Sequence, residues 1–370
     1  MKAKKVGKVF LIILAVIVAL ALLFIAGYNI YQKISYREFN KVSEKEFKIP
    51  GLSDGFVPQG ITWVENDGKE GMYLVCGYMS DGSASRIYMT NGKSGKELKQ
   101  SFVSLFTNDG KADHAHAGGI SVFGDFVYMA TGHEINVYSL SELLGAKEKS
   151  TDLVDAYVEK SRDSEFTGVI EPIGTFNPQT GPAFVHVEDG YLFVGEFYIA
   201  EDYETPESHH MTTDSGDYQQ AIMTVYVLSK DAELGLLEKR PVAAFSITDK
   251  AQGMCFVKDD KGETKMLIST SYSVASSHIK VYDNPMKSYL SLLAGVKDAS
   301  DGTFTTDDGD KVPLFYVDSA HLEKDWVLAP MSEELLYKDG KVYIMCESAC
   351  KKYMFGNLTG ARNCYSFRPY

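Results

Sequence analysis

Cysteine is scarce in this chain of 370 residues, and its spacing argues against two kinds of scaffold. The five cysteines are Cys76, Cys255, Cys346, Cys350 and Cys364. No two of them form a C-x-x-C pair, which disfavours a structural zinc site built on cysteine. Five in so long a chain also do not make a disulfide-rich scaffold, although an oxidising location permits a bridge between Cys350 and Cys364.

The common catalytic signatures are absent as well. The chain has no G-x-S-x-G elbow, no P-loop, no H-E-x-x-H helix and no dinucleotide-binding fingerprint. The acidic stretch "TTDDGDK" (305–311) lacks the full ligand pattern of a calcium loop. Function therefore has to be argued from side chains that the fold brings together, because no local motif names a reaction.

Positive charge is also in short supply. The formal net charge is −13, and four of the 37 basic residues are the lysines at positions 2, 4, 5 and 8. The rest of the chain carries 33 basic against 50 acidic residues, a net charge of −17. This balance disfavours nucleic acid or anionic lipid as a partner. It fits cation binding or a solvated acidic surface.

One long hydrophobic run stands at the N-terminus. Residues 9–27 are uncharged and apolar, which is long enough to cross a bilayer core as a helix. The lysines before this run predict a cytoplasmic N-terminus, and no small-x-small cleavage site precedes Tyr28. We expect a basic tail (1–8), a transmembrane anchor (9–27), a spacer (28–50) and an extracytoplasmic domain (51–370). The alternative is a cleaved signal peptide; either way the domain lies outside the plasma membrane.

From residue 51 onward a short pattern recurs five times. A small-residue opening leads into an apolar strand, at "PQGITW" (58–63), "AGGISVF" (117–123), "GPAFVHV" (181–187), "AQGMCFV" (251–257) and "MSEELLY" (331–337). A turn and a second apolar strand follow, as "MYLVCG", "FVYMAT", "YLFVGE", "MLISTS" and "VYIMCE". The openings lie roughly 60 to 80 residues apart, more than the ~40–50 residues of a common propeller blade. Long connections at 141–165, 200–220 and 286–312 hold the excess.

These repeats predict an all-β fold, a β-propeller of five blades with six as the alternative. A single small antiparallel sheet cannot bury both faces, so copies stack around an axis. Second strands that are apolar on both faces suit a sheet covered on each side. "SELLGA" (141–146) predicts a short helix within a connection, and the third strand of blade five is expected near "CKKYMF" (350–355). A β-sandwich is the other all-β architecture, but repeated glycine openings fit it poorly.

The repeats also predict which side chains meet at one end of the central channel. An inner strand begins at the end of the propeller where the second strand finishes. The openings contribute Gln59, Gly118, Pro182, Gln252 and Glu333, and the ends of the second strands contribute Gly77, Thr131, Glu196, Ser271 and Glu347. His114 and His116 stand in the loop that enters blade two. The predicted ligand site is therefore Gln59, His116, Glu196, Gln252, Ser271, Glu333 and Glu347.

A divalent cation is one ligand that such a ring would suit. The predicted metal ligands are His114, His116, Glu196, Glu333 and Glu347. Carboxylate oxygens favour Ca²⁺ or Mg²⁺, whereas added imidazoles favour Mn²⁺ or Zn²⁺. Glu347 is the predicted catalytic group if the site is an enzyme's. The alternatives are a polar channel filled with water and a histidine pair bonded to backbone. His209 and His210, in the 200–220 insertion, are expected to face solvent.

The motifs together resemble a known group of proteins. "FVPQGITW", "HAGGISVFGDFVYMATG", "FVHVEDGYLFVGEFY", "AQGMCF", "SSHIKVYDNP" and "PMSEELLYKDGKVYIMCESACKKY" are similar to uncharacterised secreted or membrane-anchored bacterial β-propeller proteins, over residues 50 to 370. In that group the last motif reads more like P-M-S-E-G, so Glu334 replaces a glycine here. More distantly the chain resembles gluconolactonase and strictosidine-synthase propellers. That resemblance implies a carboxylate at the channel mouth binding a divalent cation.

The sequence thus predicts a single-pass membrane protein that displays one propeller outside the cell. The first functional hypothesis is binding of a small molecule, a glycan or a divalent cation at the channel mouth. The second is a metal-dependent hydrolase of a lactone, ester or glycan. The third is a platform for proteins of the cell envelope, which would use the sides of the blades and need no pocket.

Overall fold

The computed structural model describes residues 2–66, 69–146, 161–162, 164–283, 300–353 and 361–370. Its helices are α1 (Lys2–Ser35), α2 (Arg37–Val42) and α3 (Leu140–Gly145). The first strands are β1 (Ser43–Lys48), β2 (Phe56–Asn66), β3 (Lys69–Met79), β4 (Arg86–Thr90), β5 (Gln100–Leu105), β6 (Gly119–Phe123), β7 (Phe126–Ala130), β8 (Ile135–Ser139), β9 (Glu165–Ile170), β10 (Gly174–Phe176), β11 (Pro182–Glu188) and β12 (Tyr191–Glu196). The remaining strands are β13 (Met211–Thr212), β14 (Tyr218–Gln219), β15 (Ala221–Val227), β16 (Ala243–Ile247), β17 (Ala251–Lys258), β18 (Thr264–Thr270), β19 (Ser277–Asp283), β20 (Gly302–Thr305), β21 (Lys311–Tyr316), β22 (Leu322–Leu328), β23 (Ser332–Lys338), β24 (Lys341–Cys346) and β25 (Asn363–Phe367). Asn357, which begins an Asn-Leu-Thr sequon, lies outside the described residues.

Five sheets stand around a common axis and confirm the five-bladed propeller. From inside to outside, blade one is β2-β3-β4-β5-β9, blade two β6-β7-β8-β10 and blade three β11-β12-β15-β16-β21-β20. Blade four is β17-β18-β19-β22, and blade five is β23-β24-β25-β1. The innermost strands contact one another in the order β2, β6, β11, β17, β23 and back to β2. This closed ring excludes the sandwich alternative and a sixth blade among the described residues.

Strand β1 closes the ring, and it lies in the stretch predicted as a spacer. It pairs antiparallel with β25, with Ser43 opposite Phe367 and Lys48 opposite Asn363. The sequence "SEKEFK" is charged because β1 is the outermost strand of blade five, where only Phe47 is buried. The third strand of that blade is β25, which starts beyond the "CKKYMF" segment where the sequence placed it. Both ends of the propeller chain therefore meet in one blade.

The long connections belong partly to neighbouring blades. Leaving blade two after β8, the chain adds β9 in parallel to the outer edge of blade one and then returns as β10. In blade four the chain does the same between β19 and β22, adding β21 in parallel to β16 of blade three. The predicted short helix at 141–146 is confirmed by α3, whose first turn is capped by the Ser139 hydroxyl. Extra outer strands explain why these repeats are longer than ordinary blades.

The core lies between the blades and draws side chains from inner, middle and outer strands alike. Tyr128, Tyr226, Phe193 and Phe245 are among the large side chains that are fully buried. Burying each such side chain contributes about 1.5–3 kcal/mol relative to exposure. All five cysteines are buried free thiols, so the permitted Cys350–Cys364 bridge is not formed. The sheet faces are therefore held by packing.

Helix α1 includes a segment long and apolar enough to span a membrane. The segment covers residues 7–35, has a mean hydropathy of 3.5 in its most apolar window, and does not pack inside the protein there. The last turns of α1 and one face of α2 pack against the propeller, where Tyr36 and Phe39 are buried. Phe39 lies edge-on to Phe367, with 5.4 Å between ring centroids. The apolar helix thus continues without a break into the folded domain.

Candidate functional site

The inner strands carry a bulge at the end where they begin. Gln59 is the extra residue between Pro58 and Gly60, and Gln252 is the extra residue between Ala251 and Gly253. In blade three the extra residue is Ala183, one position after the predicted Pro182. A bulge bends the strand locally and re-aims a side chain. This device turns the openings of three repeats toward the channel mouth.

A cavity of about 870 Å³ lies at this end of the propeller. The sequence-predicted residues that line it are Gln59, His116, Gly118, Thr131, Pro182, Glu196, Gln252, Ser271 and Glu347. Gly77, Glu333 and His114 are not part of its lining. Most of the side chains that the repeat pattern predicted to meet therefore line one cavity. Whether that ring binds a ligand stays a prediction.

The ring positions are not all equivalent in strand register. Glu196 pairs with Pro182 in blade three, whereas the matching positions are Thr270 in blade four and Cys346 in blade five. Ser271 and Glu347 come one residue later than the repeat alignment supposed. A shift by one residue reverses the side to which a strand residue points. Glu196 and Glu347 consequently have different surroundings.

Glu196 is a fully buried carboxylate whose oxygens are occupied by donors. His209 donates from Nδ1 to Oε1 at 2.9 Å and lies 3.1 Å from Oε2. The backbone N–H groups of Gly181 and Ile222 donate to the same carboxylate at 3.2 and 3.0 Å. His209 is itself buried, so the expectation that it faces solvent was wrong. This network ties the insertion 197–220 to blade three.

Glu347 is held in a different way. The Tyr78 hydroxyl donates to Glu347 Oε1 at 3.0 Å and lies 2.6 Å from the Tyr353 hydroxyl. Lys352 Nζ donates to the Tyr78 hydroxyl at 3.0 Å and sits 4.5 Å from the centre of that ring. Burial raises the pKa of the Glu347 carboxyl, and hydrogen bonds from Tyr78 and Gln59 oppose that rise. Burial also raises the pKa of Tyr353, to about 12.

Glu333 lies beneath this group and is almost completely buried. Its Oε2 atom has no hydrogen-bond partner among the residues that the structure describes. Burial raises the pKa of Glu333 well above its ordinary value, and the nearby carboxylates of Glu347 and then Glu334 add to the rise. Glu333 was predicted as part of the ligand site, but it stands behind the cavity wall. It contributes a buried acid next to Glu347.

Glu334 lies near the propeller axis, between the inner strands of blades one, two and five. Its carboxylate accepts N–H bonds from Ile61 at 2.8 Å and from Ile120 at 3.0 Å. Room for it comes from glycines on the neighbouring inner strands, since a Cβ on Gly60 would lie 2.7 Å from Glu334 Oε2. A Cβ on Gly253 would lie 2.4 Å from the Glu334 Cα. The side chain therefore links blade five to blades one and two below the cavity.

The two histidines of the "DHAH" stretch lie in different surroundings. The His116 ring lines the cavity and stacks on Tyr78 with 4.7 Å between centroids. The ring keeps a solvent-accessible edge, and the surrounding protein atoms and then the Lys352 ammonium lower the pKa of His116. His114 is exposed, and its Nδ1 lies 3.4 Å from the backbone oxygen of Ser83. The backbone contact predicted as an alternative fits His114.

Aromatic rings from blade three and blade four form another part of the cavity wall. Phe197 follows β12, and its ring is 5.3 Å from Tyr203 and 6.3 Å from Tyr272. The Tyr272 hydroxyl donates to Asp202, which fixes this ring. Blade three, which carries Phe197, is two blades away from both blade five and blade one. The Phe197 ring and the Tyr78–Glu347 group therefore lie on opposite sides of the cavity.

The predicted metal ligands are dispersed. Glu196 is engaged by His209, Glu333 lies behind the wall, and His114 is outside the cavity. Within the described part of the chain, no three His, Cys, Asp or Glu side chains converge as a group that could hold a metal ion. The arrangement gives no ready-made cation cage of the predicted five residues. Cation binding itself stays a prediction.

Several residues of the site were missed in the sequence. His209, Phe197 and Tyr203 lie in an insertion without repeat pattern. Tyr78 is near the end of β3, and Lys352 is in a 3₁₀ turn beyond β24. Their shared signal is position, since each lies at or beyond the cavity end of a second strand. Aromatic residues directly after "VCG" and "VGE" would have pointed to Tyr78 and Phe197.

Comparison with known proteins gives only distant likeness. No family model and no curated protein matches the chain, so the resemblances to bacterial propellers and gluconolactonases stay predictions. Among solved structures, the chain is similar to BamB from Moraxella catarrhalis at 8% identity, covering 84% of this chain and 85% of that one with a TM-score of 0.29. Sqt1 from Saccharomyces cerevisiae has 8% identity, coverage of 82% of each chain and a TM-score of 0.31. Hydrazine synthase from Kuenenia stuttgartiensis has 10% identity, coverage of 84% and 74%, and a TM-score of 0.30. Scores this low carry no argument about function.

Proposed function

We propose that this chain is a membrane-anchored receptor whose propeller stands outside the cell and binds an uncharged saccharide in the 870 Å³ cavity. The apolar helix α1 supports the anchor, and the lysines before it support an outward-facing domain. The observation that carries the ligand class is the pairing of an aromatic wall with a polar wall. Pockets that combine apolar surface with a few placed polar groups are the usual binding sites of small molecules.

A pyranose ring matches both walls. Its C–H faces pack against flat aromatic surfaces such as Phe197 and Tyr272, while its hydroxyl groups both donate and accept hydrogen bonds. Across the cavity, Gln59, Glu347 and Tyr353 offer an amide, a carboxyl and a phenol. Gln252 adds a second amide at the cavity wall. This mixture of donors and acceptors without a dominant charge favours a neutral polyol over an ion.

The charges around the cavity support an uncharged ligand. The insertion 197–220 carries six acidic residues and no lysine or arginine. Lys352 is the basic side chain on the opposite wall, where it contacts Tyr78 and Tyr353. An anionic ligand would meet repulsion from the insertion, and the solvated acidic surface would exclude it over several ångströms.

The test is saccharide binding by the full chain in detergent micelles. A panel of neutral mono- and disaccharides of glucose, galactose and N-acetylglucosamine is titrated by calorimetry. We expect at least one to bind at micromolar to millimolar affinity. Phe197→Ala should weaken binding about tenfold, because it removes the stacking face. The matched control is Tyr337→Ala, which removes an exposed aromatic ring at the opposite end of blade five. No binding by any saccharide, or equal losses in the two variants, would overturn the proposal.

A hydrolase that acts on a glycan is the second candidate. The raised pKa of Glu347 favours it, since a protonated carboxyl at a cavity wall is a suitable general acid. Under this hypothesis Glu347→Gln abolishes hydrolysis of an alkyl glycoside, whose alkoxide leaving group needs a proton from the acid. Binding of the intact saccharide should weaken by only about tenfold. Turnover that is unchanged in Glu347→Gln would remove Glu347 from that role.

A further inference from the structure

The cavity end of the propeller can be identified from the strands that border it. Ser271 follows β18 and Glu347 follows β24, and both line the cavity. The loop 271–276, which joins β18 to β19, therefore lies at the cavity end. Tyr272, Ser273 and Val274 of this loop also line the cavity.

The anchor helix meets the propeller at this same loop. The Tyr31 hydroxyl lies 3.4 Å and the Tyr36 hydroxyl 3.3 Å from the Ser276 hydroxyl. Gln32, one turn before Tyr36, is 5% exposed. The groove that receives these turns is formed by Leu328, Ala329 and Cys346, at the cavity ends of β22 and β24. Helix α1 thus docks beside the cavity mouth, between blades four and five.

The direction of the chain then places the membrane. After Tyr36 the chain runs away from the cavity end, because Phe39 packs on Phe367 and Ser43 pairs with Phe367 at the far end of β25. The N-terminal part of α1 must therefore project beyond the cavity end. The apolar run 9–27 ends five residues before Gln32, which is about 7.5 Å along a helix. The head-group layer of one leaflet is about 5–7 Å thick.

These contacts leave little freedom between anchor and domain. Helix α1 is continuous to Ser35, α2 follows after one residue, and β1 enters blade five directly. A rigid, short connection holds the cavity mouth against the head groups, where the sequence predicted a spacer. A ligand dissolved in bulk water would have to enter sideways between propeller and bilayer.

We propose that the saccharide bound by this cavity is the head group of an uncharged glycolipid in the membrane that anchors the chain. This proposal rests on the function proposed above and names the source of its ligand. A neutral lipid is favoured over an anionic one by the six acidic residues of the insertion 197–220, of which Glu204 lines the cavity beside Tyr203. The anchor brings the cavity to the leaflet where such head groups are displayed.

The first arm of the test measures which end faces the membrane. Val274→Cys at the rim is labelled with bimane in the full chain, reconstituted in phosphatidylcholine nanodiscs with a nitroxide on a fraction of the choline head groups. The native cysteines are buried and do not compete. The matched control is Asp260→Cys, in the turn at the other end of β18, about 23 Å away by strand length. We expect at least threefold stronger quenching at position 274. Equal quenching, or stronger quenching at 260, would overturn the proposal.

The second arm identifies the source of the sugar. The probe is diglucosyl diacylglycerol, with the matching free disaccharide as competitor. Disaccharide binding is measured in nanodiscs that contain either this glycolipid or plain diacylglycerol at the same fraction. We expect the apparent dissociation constant to rise at least tenfold with the glycolipid, and Phe197→Ala to remove the difference. Equal constants would overturn the lipid source while leaving saccharide binding intact. Absence of disaccharide binding in both discs would overturn both proposals.

Discussion

Two glutamates stand at comparable places in the repeat, Glu196 fully buried and Glu347 half-buried, and they have two different environments. Glu196 ends the second strand of blade three and receives His209 and two backbone N–H groups. Glu347 follows the second strand of blade five and is hydrogen bonded by the Tyr78 phenol, next to Glu333, whose Oε2 has no partner within the described part of the chain. The first carboxylate is fixed by its donors and holds the insertion in place. The second retains a raised pKa at the cavity wall.

The difference originates in one residue of strand register. Glu196 is still part of the β11–β12 ladder, so its side chain meets neighbouring backbone. Glu347 lies one residue beyond the β23–β24 ladder, where a short 3₁₀ turn, Glu347–Ala349, begins. The wall around Glu196 is therefore structural, and the wall around Glu347 is the one to which we assign ligand contact. Each of the following experiments would sharpen or break that contrast.

The largest effect should come from His209→Leu, on the structural wall. This change leaves the Glu196 carboxylate buried without its imidazole donor, which typically costs about 3–5 kcal/mol. We expect the free energy of unfolding to fall by that amount in urea denaturation of the full chain in micelles, followed by the fluorescence of Trp63 and Trp326. His133→Leu, an exposed histidine of the same cavity, is the control and should change little. A double change with Glu196→Gln should recover part of the loss.

A result below about 1 kcal/mol for His209→Leu would contradict the structural role of this wall. It would also weaken the account of the insertion 197–220. His209 in that insertion was expected to face solvent, and the buried position of its side chain depends on the pairing with Glu196.

The next effect concerns Glu333 behind the ligand wall and depends on pH. Burial raises its pKa, so the folded chain holds this proton more tightly than the unfolded chain does. The stability that comes from the bound proton is fully present below about pH 4.3 and is lost as pH rises through the folded pKa. Glu333→Gln imitates the protonated acid at every pH. We expect equal stability near pH 4 and a gain of about 1–3 kcal/mol at pH 8.

Urea denaturation at several pH values measures this difference, with the exposed Glu134→Gln as the control. Parallel pH profiles for the native chain and Glu333→Gln would show that another group titrates. The Glu196 wall supplies no comparable test, because its carboxylate is engaged by donors on both oxygens.

More of the propeller scaffold than of the candidate site could be predicted from the sequence. Apolar second strands and small openings predicted five blades. Each blade must bury both faces of its sheet, so every repeat shows the same apolar pattern. Strand β1 could not be recognised in the sequence, because its exposed side chains are charged like those of a linker. The pairing of Glu196 with His209 was hidden because an insertion brings the histidine back to the strand, and no periodic pattern records such a contact.

The residues that line the cavity were predicted in part. Gln59 and Gln252 were found because their bulges repeat with the glycine openings. Glu333 was misplaced because blade five bulges by two residues opposite one, which puts Glu334 on the axis and Glu333 behind the wall. A bulge changes which residue faces the channel without changing the apolar pattern, so the pattern alone cannot locate it.

Substitution at Glu347 should have a moderate effect on ligand and a small effect on stability. Glu347→Gln keeps the shape and one acceptor but loses a carboxyl that can bind two hydroxyls. We expect saccharide affinity to fall about tenfold, or about 1.4 kcal/mol, measured by calorimetry. Glu196→Gln is the matched change on the other wall, and it should lower stability while affecting affinity within twofold. A loss of affinity in Glu196→Gln and a loss of stability in Glu347→Gln would show that the Glu196 wall contacts the ligand and the Glu347 wall is structural.

Cation binding should have the smallest effect on stability, and it should again distinguish the Glu347 wall from the Glu196 wall. If Ca²⁺ or Mn²⁺ binds the folded chain with a dissociation constant of about 0.1 mM, 1 mM metal stabilises it by about 1.4 kcal/mol. For a domain of this size that raises the thermal midpoint by about 2–5 °C. Because the Glu196 oxygens already accept three donors, a cation should depend on the Glu347 wall, so Glu347→Gln should cancel the rise and Glu196→Gln should not. An unchanged midpoint at millimolar metal would remove the cation hypothesis and leave the cavity to an uncharged ligand.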